Sequence, residues 1–213
     1  MKFNYAVFDL DMTLIDSITP LMVSANMVAE EFGLPKVTYE AVYQAEISVP
    51  NCTFQSLWQD LWGHYDPKWY EAYADHMTDT EYLSMELYPG GRETLEALHG
   101  MGIPIGMASN RDYPKKALKA MGVDHLFGTV VGVLDVERSK PAPDMIIKAI
   151  ELMKAPAEET LYVCDSKGDL IAAAGAGVKA FSVTTGGHSA EELLSLGAWK
   201  AGDKLNEILE FFK

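Results

Sequence analysis

Residues 5–13 read Tyr-Ala-Val-Phe-Asp-Leu-Asp-Met-Thr, four apolar or aromatic positions running straight into two acids and a threonine. A continuous apolar run of this length, with no polar alternation, is the pattern of a parallel strand covered on both faces. Four more runs share it, at residues 103–108, 129–133, 161–164 and 180–183. Stretches of helical period lie between them, at 93–98, 113–121, 144–153 and 170–176, and residues 205–212 read as a closing amphipathic helix. Strand–helix–strand succession predicts an α/β fold, a doubly wound parallel sheet. In such sheets ligands bind outside the carboxyl ends of the strands, where Asp9, Asp11 and Thr13 fall.

The alternation stops between residues 17 and 86, where no strand is predicted and the pattern is helical at 21–32, 38–45, 54–62 and 67–82. This segment holds 11 of the 22 aromatic residues, enough for an interior of its own. Trp58 and Trp62, four apart, read as part of that interior. Its charges are two lysines against eleven acids, or −9 of the chain's −14. The expected organisation is an α/β core from 1–16 and 87–213 with a helical insertion at 17–86. Residues 46–55 read as a loop between insertion helices, with Ser48, Asn51 and Thr53 as potential substrate contacts.

A chain of 213 residues is long enough to bury a core without covalent staples. Its acidic balance, with a pI near 4.7, argues against nucleic acid and anionic membranes as partners, since phosphate binding needs a basic surplus. Two cysteines make no disulfide framework. No run approaches the ~18 apolar residues of a membrane span, and Met-Lys-Phe-Asn at the start shows no signal-peptide pattern. A cytoplasmic location is the expectation. The five histidines show no ligand spacing, so no histidine metal site is predicted.

Each later strand is also followed by reactive residues: Ser109-Asn-Arg111, Lys140-Pro-Ala-Pro143 and Asp165-Ser-Lys-Gly-Asp169. The set suits phosphoryl transfer. Asp9 and Asp165 offer hard oxygen ligands for Mg²⁺. A carboxylate can act as nucleophile and form an aspartyl-phosphate, and Asp11 is placed to exchange a proton with the leaving oxygen and water. Thr13, Ser109, Asn110 and Lys140 are assigned to the phosphoryl oxygens, where transition-state charge concentrates. Lys167 and Arg111 read as solvated neighbours or as residues that contact the reactive groups from behind, and Asp169 as a support.

Asp-Leu-Asp-Met-Thr-Leu, Ser-Asn, Lys-Pro-x-Pro and Asp-x-x-x-Asp, in that order, resemble the haloacid-dehalogenase-like hydrolase superfamily, and within it the phosphoglycolate-phosphatase-like members. The resemblance covers almost the whole chain. It implies a Rossmann-like core, a helical cap at 17–86, and a return to the core near Tyr88-Pro-Gly-Gly91. It also implies Asp9 as nucleophile and Asp11 as general acid/base, with the Asp11 carbonyl on the metal. Ser109 and Lys140 would hold the phosphoryl group, Asp165 would bind Mg²⁺, and Asp169 would support the metal waters or the lysine. Relatives that cleave carbon–halogen or carbon–phosphorus bonds lack an acid at the Asp11 position, so phosphate-ester chemistry is expected. Two features depart from the family pattern: Cys164 stands where glycine is usual, and no Arg-x-x-x-Gly occurs around residues 43–47.

The expected function is a Mg²⁺-dependent phosphatase acting on a small phosphorylated metabolite, as monomer or homodimer. A phosphomutase and a catalytically silent binding protein on the same fold are the alternatives. An insertion of charge −9 is expected to disfavour anionic leaving groups.

Overall fold

The apolar runs become strands because the neighbours on either side bury them. In the computed structural model, which describes residues 2–48 and 54–212, β1 (Tyr5–Phe8) is hydrogen-bonded on both sides. The parallel sheet runs, in spatial order, β5 (Thr129–Val131), β4 (Ile105–Ala108), β1, β6 (Thr160–Cys164), β7 (Lys179–Val183) and β8 (Lys200–Gly202). Ala6 pairs with Ile105 on one flank and Leu161 on the other. The chain builds outward from β1 on one side through β4 and β5, then crosses to build the other side from β6. Such a reversal opens a crevice at the carboxyl ends of β1, β4 and β6.

Helices cover the sheet. In α7 (Asp144–Met153) the buried positions are Met145, Ile146, Ala149 and Ile150, the i, i+1, i+4, i+5 stripe of an amphipathic helix. Helix α8 (Lys167–Ala176) opens on Ser166, whose Oγ accepts the Asp169 N–H, and closes on left-handed Gly177. Helices α5 (Gly91–Gly100), α6 (Pro114–Ala120) and α9 (Ala190–Ser195) complete the layers.

The chain divides into two compact units, Met1–Ile15 with Leu87–Lys213, and Asp16–Glu86. The second unit contains α1 (Ile18–Phe32), α2 (Tyr39–Ser48), α3 (Phe54–Trp62) and α4 (Pro67–Leu83). Its interior centres on Trp58, which has no exposed surface and packs with Val28, Ala45, Leu57, Trp69 and Tyr73. The Trp62 ring centroid lies 5.6 Å from that of Trp58, and the Trp62 Nε1–H donates to the Pro35 carbonyl at 3.0 Å. Of the segment expected as a loop at 46–55, both described ends are helical. Ser48 ends α2 and Phe54 begins α3, while Asn51 and Thr53 lie outside the described residues, as does the Ser48 side chain.

Three strands escape the sequence pattern. Strands β2 (Ile15–Asp16) and β3 (Glu86–Leu87) pair with each other and are too short to show a run, although Glu86 lies in the segment expected to lack strands. Strand β8 is an edge strand reading Lys-Ala-Gly, with only its glycine buried. The expected closing amphipathic helix is present and is of the 3-10 type, over Leu205–Phe211. Its buried residues are Leu205, Ile208 and Phe211, spaced by three, which is the 3-10 repeat. Phe212 then bridges to Phe3 beside the sheet. Among the described residues, no helix is long and apolar enough to cross a membrane.

Candidate active site

Immediately after β1 the chain folds into a tight loop. The N–H groups of Leu14 and Ile15 both bond the Leu10 carbonyl, at 2.9 and 3.1 Å, and Met12 takes a left-handed φ of 57°. Thr185, beyond β7, braces the loop by donating its hydroxyl to the Met12 carbonyl. Asp9 is thereby fixed at the strand end, its N–H on the Val163 carbonyl at 2.9 Å and its side chain buried.

Three motifs meet at Asp9. Lys140 Nζ donates to Asp9 Oδ1, donates to Asp169 Oδ1 at 2.7 Å, and lies 3.2 Å from the Tyr162 hydroxyl oxygen. Thr13 Oγ1 lies 3.2 Å from Asp9 Oδ2 and 2.9 Å from Asp165 Oδ1. One hydroxyl proton serves one of those oxygens at a time, so Thr13 ties the two acids together. One carboxylate oxygen from each of Asp9, Asp165 and Asp169 lies within 4.8 Å of the other two, and all three residues are buried. Asp169 is the most heavily bonded of the three: its Oδ1 also accepts from Tyr162 at 2.7 Å, and its Oδ2 accepts from Ser166. Asp169 therefore holds the lysine.

The other predicted residues have well-defined protein partners. Thr13, assigned to the phosphoryl oxygens, is fully buried and bonded to carboxylates. Asn110 braces Lys140: its Oδ1 accepts the Lys140 N–H at 3.1 Å, and its Nδ2 donates to the Lys140 carbonyl at 3.3 Å. Ser109 is buried, with its N–H on Val131 and its Oγ accepting the Arg111 N–H at 3.2 Å. Arg111, of its two expected placements, takes the one behind a reactive group: it forms a bidentate ion pair with Asp11 at 2.7 to 2.9 Å. Asp11 is not among the three clustered acids.

This geometry can be set beside known proteins. A family model described as haloacid dehalogenase-like hydrolase matches residues 6–183. The chain belongs to that family. A phosphoglycolate phosphatase of Vibrio parahaemolyticus is 31% identical over 212 residues, covering 95% of this chain and 93% of the relative. A protein of Caldanaerobacter subterraneus named as a pyrophosphatase is 31% identical over 192 residues, covering 86% of this chain and 82% of that one. Among solved structures, a haloacid-dehalogenase-superfamily hydrolase of subfamily IA from Geobacter sulfurreducens superimposes with a TM-score of 0.78 at 20% identity. It covers 99% of this chain and 97% of that one, and shows the shared fold.

Within this family fold, the electrostatics of the site are unbalanced. Burial pushes the Asp9 carboxyl up to about 7; Lys140 opposes the rise, while the charges of Asp169 and Asp11 add to it. Burial, then the charges of Asp169 and Asp9, also hold Asp165 well above the usual carboxylate range. Burial works against the Lys140 ammonium too, yet the adjacent Asp169 and Asp9 charges outweigh it and raise its pKa. Asp169 goes the other way, because Lys140 and the hydrogen bonds it accepts overcome its own burial. One buried cation thus faces three buried acids.

A hard divalent cation fits that surplus, and Asp9 and Asp165 are the acids that carry fewer protein donors than Asp169. Gly186 marks the Asp165 side of the site: a Cβ built there would overlap the carboxylate, 2.7 Å from its Cγ. Cys164, the departure from the family glycine, is fully buried with Sγ 3.5 Å from Ser182 Oγ, and burial pushes its thiol up. It packs and does not react. Sequence reading missed Tyr162, Thr185 and Gly186. Tyr162 looks like one more apolar strand position, and only Gly186-Gly187, directly beyond a strand end, carried a visible signal.

Proposed function

We propose that the protein is a Mg²⁺-dependent phosphatase that hydrolyses a small phosphomonoester through an aspartyl-phosphate on Asp9. The observation that carries this reading is the buried contact of Asp9 with Lys140 beside the Asp165 carboxylate, at the ends of adjacent strands. In this reading residues 1–16 and 87–213 are the catalytic core and 17–86 the cap.

Asp9 attacks phosphorus, and the ester bond to the leaving oxygen breaks as the new acyl-phosphate bond forms. Asp11 supplies the proton that the leaving oxygen needs. Lys140, held by Asp169, Tyr162 and the Asn110 brace, neutralises charge on the transferring group. Water then attacks phosphorus, Asp11 takes its proton, and Asp9 is released as carboxylate with inorganic phosphate. When bound by Asp9 and Asp165, Mg²⁺ relieves the repulsion between the nucleophile and an anionic phosphate.

A panel of phosphorylated metabolites, assayed for phosphate release with and without Mg²⁺ and against Asp9→Asn, tests the reading. Release that needs both Mg²⁺ and Asp9 is expected. Release without any bisphosphate primer separates hydrolysis from mutase chemistry, and no release from any substrate would favour a silent protein. The panel includes phosphoglycolate and pyrophosphate because relatives carry those names. The charge of −9 on residues 17–86 favours a neutral or cationic leaving group instead, most strongly at low salt. A best rate with phosphoglycolate would overturn that charge argument and leave the core mechanism standing.

A further inference from the structure

Asp11 and Arg111 stand 100 positions apart in sequence and meet in a fork. Arg111 Nε lies 2.9 Å from both Asp11 oxygens, and NH2 donates to Oδ1 at 2.7 Å. The pair is half-buried, with side-chain exposures of 19% for Arg111 and 32% for Asp11. The arginine is delivered from a fixed backbone. Its N–H is on Ser109 Oγ, and its carbonyl accepts the Val133 N–H at 3.0 Å. Gly132 packs against it so closely that a Cβ would come 2.7 Å from the Arg111 carbonyl oxygen.

A guanidinium fork fixes the plane and direction of a carboxylate, which the point charge of a lysine does not do. The fork here is asymmetric. Oδ1 takes an NH2 proton and shares the single Nε proton with Oδ2, so Oδ2 retains a lone pair with which to handle a proton. Proton transfer to a leaving oxygen is sensitive to misplacement of the donor by about 1 Å. No such sensitivity applies to a leaving group stable enough to depart as an anion.

We propose that Arg111 is the positioning residue for Asp11: it aims the carboxylate, and so governs proton delivery to the leaving oxygen, without itself binding the phosphoryl group. This rests on the phosphatase reading above. In the step that forms the aspartyl-phosphate, Arg111 then matters in proportion to how much the leaving group needs a proton.

The test compares kcat/KM, which reports formation of the aspartyl-phosphate and not its hydrolysis, for two substrates: dinitrophenyl phosphate, whose leaving group needs no proton, and the best alkyl phosphate of the panel. Arg111→Met is expected to lower kcat/KM about 10- to 100-fold on the alkyl ester and less than about threefold on the dinitrophenyl ester. Arg111→Lys, which keeps the charge and loses the fork, gives the same selective loss and carries the test if the methionine variant does not fold. In an Asp11→Asn background, either substitution has no further effect on the alkyl ester. Equal losses on both substrates, full rescue by lysine, or an added loss in the Asp11→Asn background would overturn the proposal. An Asp9→Asn variant that stays active would instead bring down the phosphatase reading itself.

Discussion

The two compact units bury opposite kinds of side chain. The unit that carries the sheet hides Asp9, Thr13, Ser109, Lys140, Asp165 and Asp169 at or just beyond its strand ends. In the unit spanning Asp16–Glu86, Ser24 is the one buried polar side chain among the described residues, and the interior is built from Trp58, Trp69 and Tyr73. Buried charge costs desolvation that its pairings seldom repay in full, whereas buried rings stabilise in proportion to the area they remove from water. The first unit therefore gives up stability for chemistry, and the second has no such conflict.

Substitutions in the two units should move different quantities. The largest effect is expected at Asp9→Asn, which should lower kcat by on the order of 10⁴-fold or more. The same change removes a buried carboxylate, so urea unfolding of the metal-free variant should show equal or greater stability than the parent. A loss of both activity and stability would break the comparison. Trp58→Ala should do the reverse, costing about 3–5 kcal/mol of stability in the same denaturation experiment. A cost below about 1 kcal/mol would show that the aromatic interior is not close-packed.

Tyr162→Phe sharpens the comparison from within the catalytic unit. It removes one donor to Asp169 and one partner of Lys140 while keeping the ring in the sheet. Steady-state kinetics should show kcat about tenfold lower with little change in KM. A rise in KM alone would place Tyr162 in substrate binding.

The smallest effect concerns pH. Asp9 titrates near 7 in the folded chain against 3.8 as an ordinary aspartate, so between those values the folded state holds a proton that the unfolded chain has released. Asp165 shifts in the same direction. This contribution is complete below the ordinary value and is lost as pH rises through the folded one. Metal-free protein should accordingly have a higher urea midpoint near pH ~5 than near pH ~8, and added Mg²⁺ should raise the midpoint more at the higher pH, where it competes with fewer protons. A metal effect greater at the lower pH would contradict the assignment of these acids as ligands.

The comparison also explains what could be read from sequence. The central strands β1, β4 and β6 are buried on both faces, so their runs stand out, and their ends locate Asp9, Ser109 and Asp165. Strand β8 is a three-residue edge with one buried position, too short to show a run, and in Leu205–Phe211 the amphipathic pattern is visible but does not distinguish a repeat of three from a 3.6-residue period. The carboxylates of the site were legible because each follows its strand. Their partners were not. Nothing in the local sequence around Arg111 points to Asp11, or around Asn110 to the Lys140 backbone, because those contacts arise only when separate strand ends converge. Tyr162 is hidden for a related reason: a hydroxyl at the tip of an apolar ring satisfies the strand pattern and the polar network together.

The central claim is that Asp9 carries the phosphoryl group during turnover. Rapid acid quench of the enzyme with Mg²⁺ and a good aryl phosphate, followed by peptide mass spectrometry, tests it most directly. The account predicts one added phosphoryl group on the peptide containing Asp9, absent from Asp9→Asn. Steady phosphate release with no phosphorylated peptide, or with the phosphoryl group on any other residue, would contradict it.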